Sequence, residues 1–190
     1  MSDDDRLSDM AATVLEQGRP WTEERFFALG KTASRVELFD GSLLVSPAPS
    51  IWHQDLGLAI RDALLSVTRE ADLRIHLAIN VRLQPGRIPI PDLVIAHPVD
   101  RKSLVIEARD VVLVCEILSS NAVFDRVAKM HYYAEARVPH YLIVGPQGPV
   151  LELYRLEGDK YVAEASAAPG ERLLFTTPFV AELDPASLAQ

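Results

Sequence analysis

Two repeats of apolar positions divide this chain into helices and strands. Between positions 51 and 69 the apolar residues recur every three or four positions, which predicts a helix with one face against a sheet. The residues of that face are Leu56, Ala59, Ile60, Ala63, Leu64 and Val67. Ser50, just before them, is a typical helix cap. Positions 73–83 alternate apolar and polar residues instead, which predicts a single strand.

Two nearly continuous apolar segments predict the centre of the sheet. Positions 111–118 read V-V-L-V-C-E-I-L, and positions 140–144 form a second such run. Strands that are buried on both faces have this composition. Positions 121–136 between the two runs follow a helical pattern, so we expect a parallel crossover of strand, helix and strand. A further strand is predicted at 90–96.

The two ends of the chain carry shorter elements. Residues 1–20 are expected to form a loosely ordered lead-in with a short helix near 10–17, and residues 21–190 a single domain. Thr22, followed by two glutamates, predicts the start of a helix, and Asp40-Gly41 predicts a hairpin turn. Short strands are predicted at 36–39, 42–46, 150–156, 161–164, 172–175 and 179–183. The whole order predicts an α/β (α+β) fold, with a mixed central sheet flanked by helices.

Composition and charge narrow the class of protein. Of 190 residues, 48% are hydrophobic and 24% charged, which is typical of a globular domain, and no apolar run approaches the roughly 20 residues that span a bilayer. The single cysteine, Cys115, excludes an internal disulfide and a zinc site of several cysteines. The acidic start of the chain lacks the pattern of a signal peptide, so a cytoplasmic location is expected. A net charge of −8 argues against broad, charge-driven binding of nucleic acid, although a local basic groove or a bound cation can support it.

Three carboxylates stand beside or within the predicted strands. Asp92 lies near the start of one strand, Glu116 lies inside the longest apolar run, and Glu37 lies in the early hairpin. Each has an ordinary alternative, because Asp92 suits a turn, Glu116 can stand where its strand reaches water, and Glu37 can face solvent. A carboxylate buried without a partner is costly. If the three gather at one end of the sheet, their repulsion favours a divalent cation such as Mg²⁺, which prefers oxygen ligands and polarises phosphoryl groups.

The helix predicted between the two apolar runs adds a candidate cation. Asp125, Lys129 and Tyr133 are spaced four apart and share one helix face. Spacing alone favours an exposed Asp–Lys pair worth about 0.3–0.5 kcal/mol, whereas the functional alternative points Lys129 at the carboxylates, where it stabilises negative charge. His53, in the first turn of the long helix, is expected to cap locally or to assist the site. The sequence contains no histidine pair with metal spacing, no nucleophile elbow and no phosphate-cradling glycine loop.

Four segments, taken in order, are similar to one known family. They read R-V-E-L-F-D-G-S-L-L-V-S-P-A-P-S-x-x-H, I-P-D-L-V-I, V-C-E-I-L-S-S and D-x-x-x-K-x-x-x-Y-x-x-A-x-V-P-H-Y-L-I-V. From about Trp21 to its C-terminal region the chain resembles the Uma family of restriction-endonuclease-like proteins, a branch of the PD-(D/E)XK nuclease superfamily. The resemblance implies a restriction-endonuclease-like fold with an N-terminal hairpin and a C-terminal β extension. It also implies Mg²⁺-assisted cleavage of nucleic acid, with DNA as the first candidate substrate and Mn²⁺ as a substitute metal.

The same resemblance implies roles for individual residues. Glu37 matches the acid of the early element, Asp92 the acid of the P-D motif, and Glu116 the acid of the following strand, and these three are the implied metal ligands. The commonest pattern of the superfamily has a lysine two residues after the last acid, where this chain has Leu118. Lys129 on the following helix resembles a version in which that lysine has moved.

Four more residues match the family pattern as groups that orient the site. They are His53, Ser119, Asp125 and Tyr133. One position departs from the pattern, because Gly145 stands where an aspartate often precedes the proline.

Three functions stay open on the sequence. The leading one is a Mg²⁺-dependent endonuclease, with homodimerisation expected because two strands are commonly cut by two copies. The acidic charge and Leu118 favour instead a catalytically silent binding or regulatory module on a nuclease-like scaffold. The acidic surface also suits a metal-dependent phosphohydrolase that acts on small substrates.

Overall fold

The structure, a computed structural model, describes residues 13–15, 20–118, 125–145 and 150–188, with side chains for all of these but 13–15, 125 and 126. The helices of this part of the chain are α1 (Glu23–Ala28), α2 (Ile51–Glu70), α3 (Met130–Glu135) and α4 (Pro185–Leu188). Its strands are β1 (Thr13–Leu15), β2 (Arg35–Phe39), β3 (Ser42–Ser46), β4 (Arg74–Leu77), β5 (Asn80–Arg82), β6 (Arg87–Ile88), β7 (Leu93–Ala96), β8 (Val105–Glu107), β9 (Val111–Ile117), β10 (His140–Val144), β11 (Leu151–Glu157), β12 (Lys160–Ala167), β13 (Leu173–Phe175) and β14 (Ala181–Leu183). A 3₁₀ turn covers Ala108–Asp110, and a π-helical turn covers Asp125–Lys129.

A six-stranded mixed sheet forms the centre of the fold. Its strand order is β12-β11-β10-β9-β7-β4. β9 and β10 run parallel, whereas the other neighbours are antiparallel. All residues of β9 and β10 are buried, as their apolar runs predict. The predicted mixed sheet and the parallel pair are therefore confirmed.

Helices cover both faces of the central sheet. On one face, Leu56, Ile60 and Leu64 of α2 are fully buried in one cluster with Leu93 and Leu113 of the sheet. Each such side chain contributes about 1.5–3 kcal/mol when it leaves water. On the opposite face, α3 packs against β9 and β10 in a second cluster. This arrangement positions His53 of α2 and Tyr133 of α3 beside the same end of the central strands.

A second, antiparallel sheet carries the early hairpin. Its order is β1-β3-β2-β6, and β2 and β3 turn at Asp40-Gly41, where φ is 49° and 88°. Glycine is required at position 41 because a Cβ there would lie 3.0 Å from the Cβ of Pro20. The chain also forms two two-stranded sheets among the described residues. β5 pairs with β8 in parallel, and β13 pairs with β14 in antiparallel arrangement. The predicted hairpin and its turn are confirmed.

The prediction of a helix near 10–17 is wrong at Thr13–Leu15. These residues form β1, which pairs with β3 and completes an edge of the second sheet. Pairing with a distant strand here overrides the local preference of a short segment. The boundary at residue 20 between a lead-in and a domain stays a prediction.

The strand predicted at 73–83 is two strands in different sheets. β4 pairs with β7, while β5 pairs with β8. The break lies at Ala78, whose φ of 48° is left-handed and whose N–H donates to the Asp92 carbonyl at 3.1 Å. The alternating pattern continues through the break because both strands are half-buried, and periodicity does not report a change of partner.

The helix predicted at 121–136 is partly replaced by a wider helical turn. A π-helical turn at Asp125–Lys129 leads into α3, and positions 121–124 lie outside the described residues. A π-turn shifts the residues after it around the helix axis, and such turns are frequent at functional sites. The short strands β6 and β8 and the C-terminal helix α4 are absent from the sequence prediction. No helix in the described part of the chain is long and apolar enough to cross a bilayer.

Candidate active site

The register between β7 and β9 places Asp92 and Glu116 at the same end of the sheet. Leu93 pairs with Cys115, so the next pair outward is Asp92 and Glu116. Asp92 Oδ2 accepts the N–H of Ile117 at 2.8 Å. This side-chain hydrogen bond continues the hydrogen bonding between β7 and β9 beyond the end of β7. Glu116 is therefore fixed within β9, and Asp92, directly before β7, is fixed by its hydrogen bond to the backbone of β9.

Asp92 is held by two hydrogen-bond donors and one ion-pair partner. Besides the Ile117 amide, His53 Nε2 donates to Oδ2 at 3.1 Å, and Arg35 Nη2 lies 2.8 Å from Oδ1. Burial alone would raise the pKa of Asp92, but the His53 hydrogen bond and the Arg35 charge hold that pKa well below its usual range. Burial lowers the pKa of His53, but the hydrogen bond to Asp92 and the Asp92 charge raise it by more, so the pKa of His53 is raised overall. Asp92 is thus an ionised carboxylate in a nearly closed site.

The start of α2 delivers His53 to this position. Ser50 caps the helix, because its Oγ accepts the backbone N–H of His53 at 3.2 Å. With its backbone anchored in the first turn, the imidazole reaches across to Asp92. Of the two expectations for His53, contact with the site is the one that its side chain meets.

Glu116 accepts from two residues of the following helical segment. Lys129 Nζ donates to Glu116 Oε1 at 3.2 Å, and Tyr133 Oη donates to the same oxygen at 2.6 Å. Glu116 and Lys129 each keep only 3% of their surface exposed. Burial raises the pKa of Glu116 to about 7, with Lys129 opposing the rise and the charge of Asp92 adding to it. Burial likewise raises the pKa of Tyr133 well above its ordinary value, so its hydroxyl is a permanent donor here.

Glu37 joins the same cluster from the second sheet. It lies on β2, is only 1% exposed, and its Oε1 lies 3.4 Å from Lys129 Nζ. The same oxygen accepts the N–H of Ile90 at 2.8 Å, in the segment that leads to Asp92. Lys129 therefore bridges two carboxylates that come from different sheets. Both side chains are buried, so the solvent-facing alternative for Glu37 and the exposed position expected for Lys129 are wrong. Whether Asp125 pairs with Lys129 stays a prediction, because the Asp125 side chain lies outside the described residues.

The structure thus brings together most of the residues that the sequence singled out. Those gathered at this site are Glu37, His53, Asp92, Glu116, Lys129 and Tyr133. Ser119 lies outside the described residues, as does the side chain of Asp125. The chemical roles of all these residues stay predictions.

Arg35 is the site residue that sequence reasoning missed. It stands two positions before Glu37 on β2, so both side chains leave the strand on the same face. Burial lowers the pKa of Arg35, but the charges of Asp92, Glu37 and Glu116 raise it overall. A charged residue two positions from a candidate acid in the same strand was the signal available in the sequence.

The ionisation of Glu116 predicts a pH-dependent stability difference for Glu116→Gln. The folded-state pKa of about 7 exceeds the ordinary 4.5, so the folded protein binds this proton more tightly than the unfolded chain. That contribution is complete below about pH 4.5 and is lost as the pH rises through about 7. The variant lacks it, so its free energy of unfolding should rise relative to the wild type by about 2–3 kcal/mol between pH 5 and pH 8.

Urea unfolding at several pH values measures this difference. The pKa of His53 is raised mainly by Asp92, which both proteins retain, so most of its contribution cancels in the comparison. Glu157→Gln, at the exposed end of β11, is the matched control, and removing its surface ion pair should have only a small effect on stability. A constant difference for Glu116→Gln would contradict the raised pKa.

The carboxylates have the oxygen chemistry that Mg²⁺ prefers. Asp92 Oδ1 is buried and accepts no aligned hydrogen bond among the described residues, although the Arg35 charge is close to it. Within the described part of the chain, no three His, Cys, Asp or Glu side chains are already gathered closely enough to hold a metal. The geometry explains this, because Glu37 and Glu116 turn toward Lys129 while Asp92 turns toward Arg35. The donor set fits a divalent cation in its oxygen chemistry, and a bound ion would have to replace contacts that Arg35 and Lys129 now make.

Comparisons with known proteins agree with this fold. A crystal structure described as a putative nuclease belonging to DUF820, from Anabaena variabilis ATCC 29413, superposes with a TM-score of 0.68. It is 17% identical, and the match covers 90% of this chain and 98% of that one, so the nuclease-like fold is confirmed. No curated protein matches the chain. The family model described as "Uma2: Putative restriction endonuclease" matches residues 23–186, which is most of the 190 residues, and the chain therefore belongs to the Uma2 family.

Proposed function

We propose that this protein is a metal-dependent endonuclease that hydrolyses phosphodiester bonds of nucleic acid, with DNA as the first substrate to test. Family membership supports a nuclease in general. The observation that carries the finer proposal is the convergence of two buried carboxylates, from two sheets, on one buried lysine, with the buried carboxylate of Asp92 beside them at the same end of the central sheet. Burying charged side chains costs free energy. Clusters of buried charges with shifted pKa values are therefore concentrated at functional sites.

Asp92, Glu116 and Glu37 would hold the metal in this proposal, with Mg²⁺ as the natural ion and Mn²⁺ as a substitute. When bound, a divalent ion polarises the scissile phosphoryl oxygen, activates water and stabilises the leaving oxygen. Asp92 is suited to this role because it is already ionised. Glu116, with a pKa of about 7, must give up its proton to bind a cation.

Lys129 is the proposed charge stabiliser and water-orienting group. Its ammonium lies between two of the carboxylates, 3.2 Å from Glu116 Oε1 and 3.4 Å from Glu37 Oε1. A fixed ammonium in a site of low water content stabilises the negative charge that develops on the phosphoryl group. Tyr133 fixes Glu116, and His53 fixes Asp92, so both act by positioning the carboxylates.

Two other functions lead to different results. A silent binding module is favoured by the net charge of −8 and by Leu118 at the position of the usual lysine. A phosphohydrolase for small substrates is favoured by the same acidic charge. Homodimerisation and a cytoplasmic location belong to the nuclease proposal, and the mass of the protein in solution tests the first of these.

A panel of substrates separates the three functions. Purified protein is incubated with supercoiled DNA, linear DNA, single-stranded RNA and a small aryl phosphodiester, with Mg²⁺, with Mn²⁺ or with EDTA. We expect scission of a nucleic acid that EDTA abolishes. Turnover of the small diester alone would favour the phosphohydrolase, and metal uptake without turnover of any substrate would favour the binding module.

A further inference from the structure

We propose that Arg35 occupies the Asp92 carboxylate before the metal binds, and then moves to bind the phosphodiester of the substrate. This inference rests on the proposed function, since it concerns how the same site exchanges one cation for another. Arg35 belongs to β2, whereas the acid that it contacts stands at the start of β7 in the other sheet. The pair therefore joins the two sheets across the site.

The position of the guanidinium is that of a cation shared by the carboxylates. Arg35 Nη2 lies 2.8 Å from Asp92 Oδ1, and its pKa responds to Glu37 and Glu116 as well. Asp92 Oδ1 has this ion pair but no aligned hydrogen bond among the described residues, whereas Oδ2 has two donors. A competing cation would therefore displace fewer hydrogen bonds at Oδ1 than at Oδ2.

The net charge of the site favours replacement of Arg35 by the metal over addition of the metal while Arg35 stays. With Glu116 ionised and His53 neutral, three carboxylates face two permanent cations, Arg35 and Lys129. If a divalent ion joined them without any departure, the site would carry an excess positive charge. If Arg35 leaves Asp92, the carboxylates, the metal and Lys129 balance. A phosphodiester then brings one negative charge, and Arg35 is the cation on hand to neutralise it.

Arg35 has both the space and the geometry for this movement. Its side chain is 22% exposed, while that of Asp92 is 5% exposed. A cleft of about 340 Å³ opens beside it, lined among others by Phe27, Lys31 and Asn80. A planar guanidinium binds carboxylate and phosphate oxygens with the same pair of N–H groups, so no second donor set is needed.

Calorimetric titration with Mg²⁺ tests the exchange without nucleic acid. Arg35→Gln removes the competing charge, so we expect its Mg²⁺ affinity to exceed that of the wild type by about tenfold. With a short DNA duplex and Ca²⁺ in place of Mg²⁺, the same variant should bind DNA about tenfold more weakly, because a phosphate contact is lost. Arg155→Gln, which removes a half-exposed arginine paired with Glu157, should change neither affinity.

The possible results separate this inference from the nuclease proposal. Equal or weaker Mg²⁺ binding by a folded Arg35→Gln protein would overturn the exchange, while metal binding by the wild type would leave the proposed function standing. No uptake of Mg²⁺ or Mn²⁺ by the wild type, with or without DNA, would overturn both.

A second measurement uses the wild-type protein and does not depend on how the variant folds. The Nε–H resonance of Arg35, identified by its loss in Arg35→Lys, should shift when Mg²⁺ is added and shift again when the DNA duplex follows. A resonance that stays in place at saturating Mg²⁺ would show that Arg35 remains on Asp92, and the exchange would be rejected.

Discussion

We expect Asp92→Asn to lose metal-dependent cleavage by roughly a thousandfold or more. The substitution keeps the shape of the side chain, so the carbonyl oxygen of asparagine can still accept the hydrogen bond from the Ile117 N–H. It removes the negative charge that faces Arg35 and that a divalent ion would require. Gel assays of DNA cleavage measure the loss, and Mg²⁺ calorimetry on the same protein should show that metal uptake is lost with it.

Asp62→Asn is the matched control for this variant. Asp62 lies on the exposed side of α2 and pairs only with Arg61 in the described contacts, so the same chemical change there should leave cleavage unaltered. Circular dichroism establishes that both variants are folded. Full activity in a folded Asp92→Asn protein would remove Asp92 from the proposed metal site.

We expect Lys129→Met to show how much Lys129 contributes to the stability of the protein and how much to cleavage. Without the ammonium, two buried carboxylates lose a shared counter-ion, which should lower the free energy of unfolding at pH 8 by about 3–5 kcal/mol. Cleavage should fall by about a hundredfold to a thousandfold even at saturating Mg²⁺. Because the metal then supplies the missing positive charge, Mg²⁺ should stabilise this variant more than it stabilises the wild type.

Chemical unfolding with and without Mg²⁺, together with cleavage assays, tests these three results. Lys160→Met, at the exposed start of β12, is the matched control and should change neither stability nor cleavage by much. If Lys129→Met cleaved like this control once Mg²⁺ had restored its stability, Lys129 would be a structural counter-ion and nothing more.

The fold was predictable where one pattern ran long enough to exclude alternatives. The helical repeat of α2 and the apolar runs of β9 and β10 extend over several turns or a whole strand, and all three appear where they were expected. The failures occur in short segments. At Thr13–Leu15 and at Ala78 the outcome depends on which distant strand is the partner, and local periodicity does not contain that information.

The candidate site was predictable in its members but not in its contacts. A carboxylate within an apolar run pointed to Glu116, and the order of motifs added Asp92 and Lys129. Burial of Lys129 could not be inferred from its spacing, because the decisive partner, Glu37, lies about ninety residues earlier in another sheet. Arg35 was missed for the same reason, since its importance arises only when the two sheets meet.

The two internal cations also bear on how such a protein is made. A domain whose carboxylates depend on a metal for charge balance cannot finish folding until the ion arrives, as in zinc fingers. Here Arg35 and Lys129 already balance most of the negative charge within the polypeptide. Under the proposed function, the chain could therefore fold first and bind its metal afterwards, so folding would not depend on the supply of the ion.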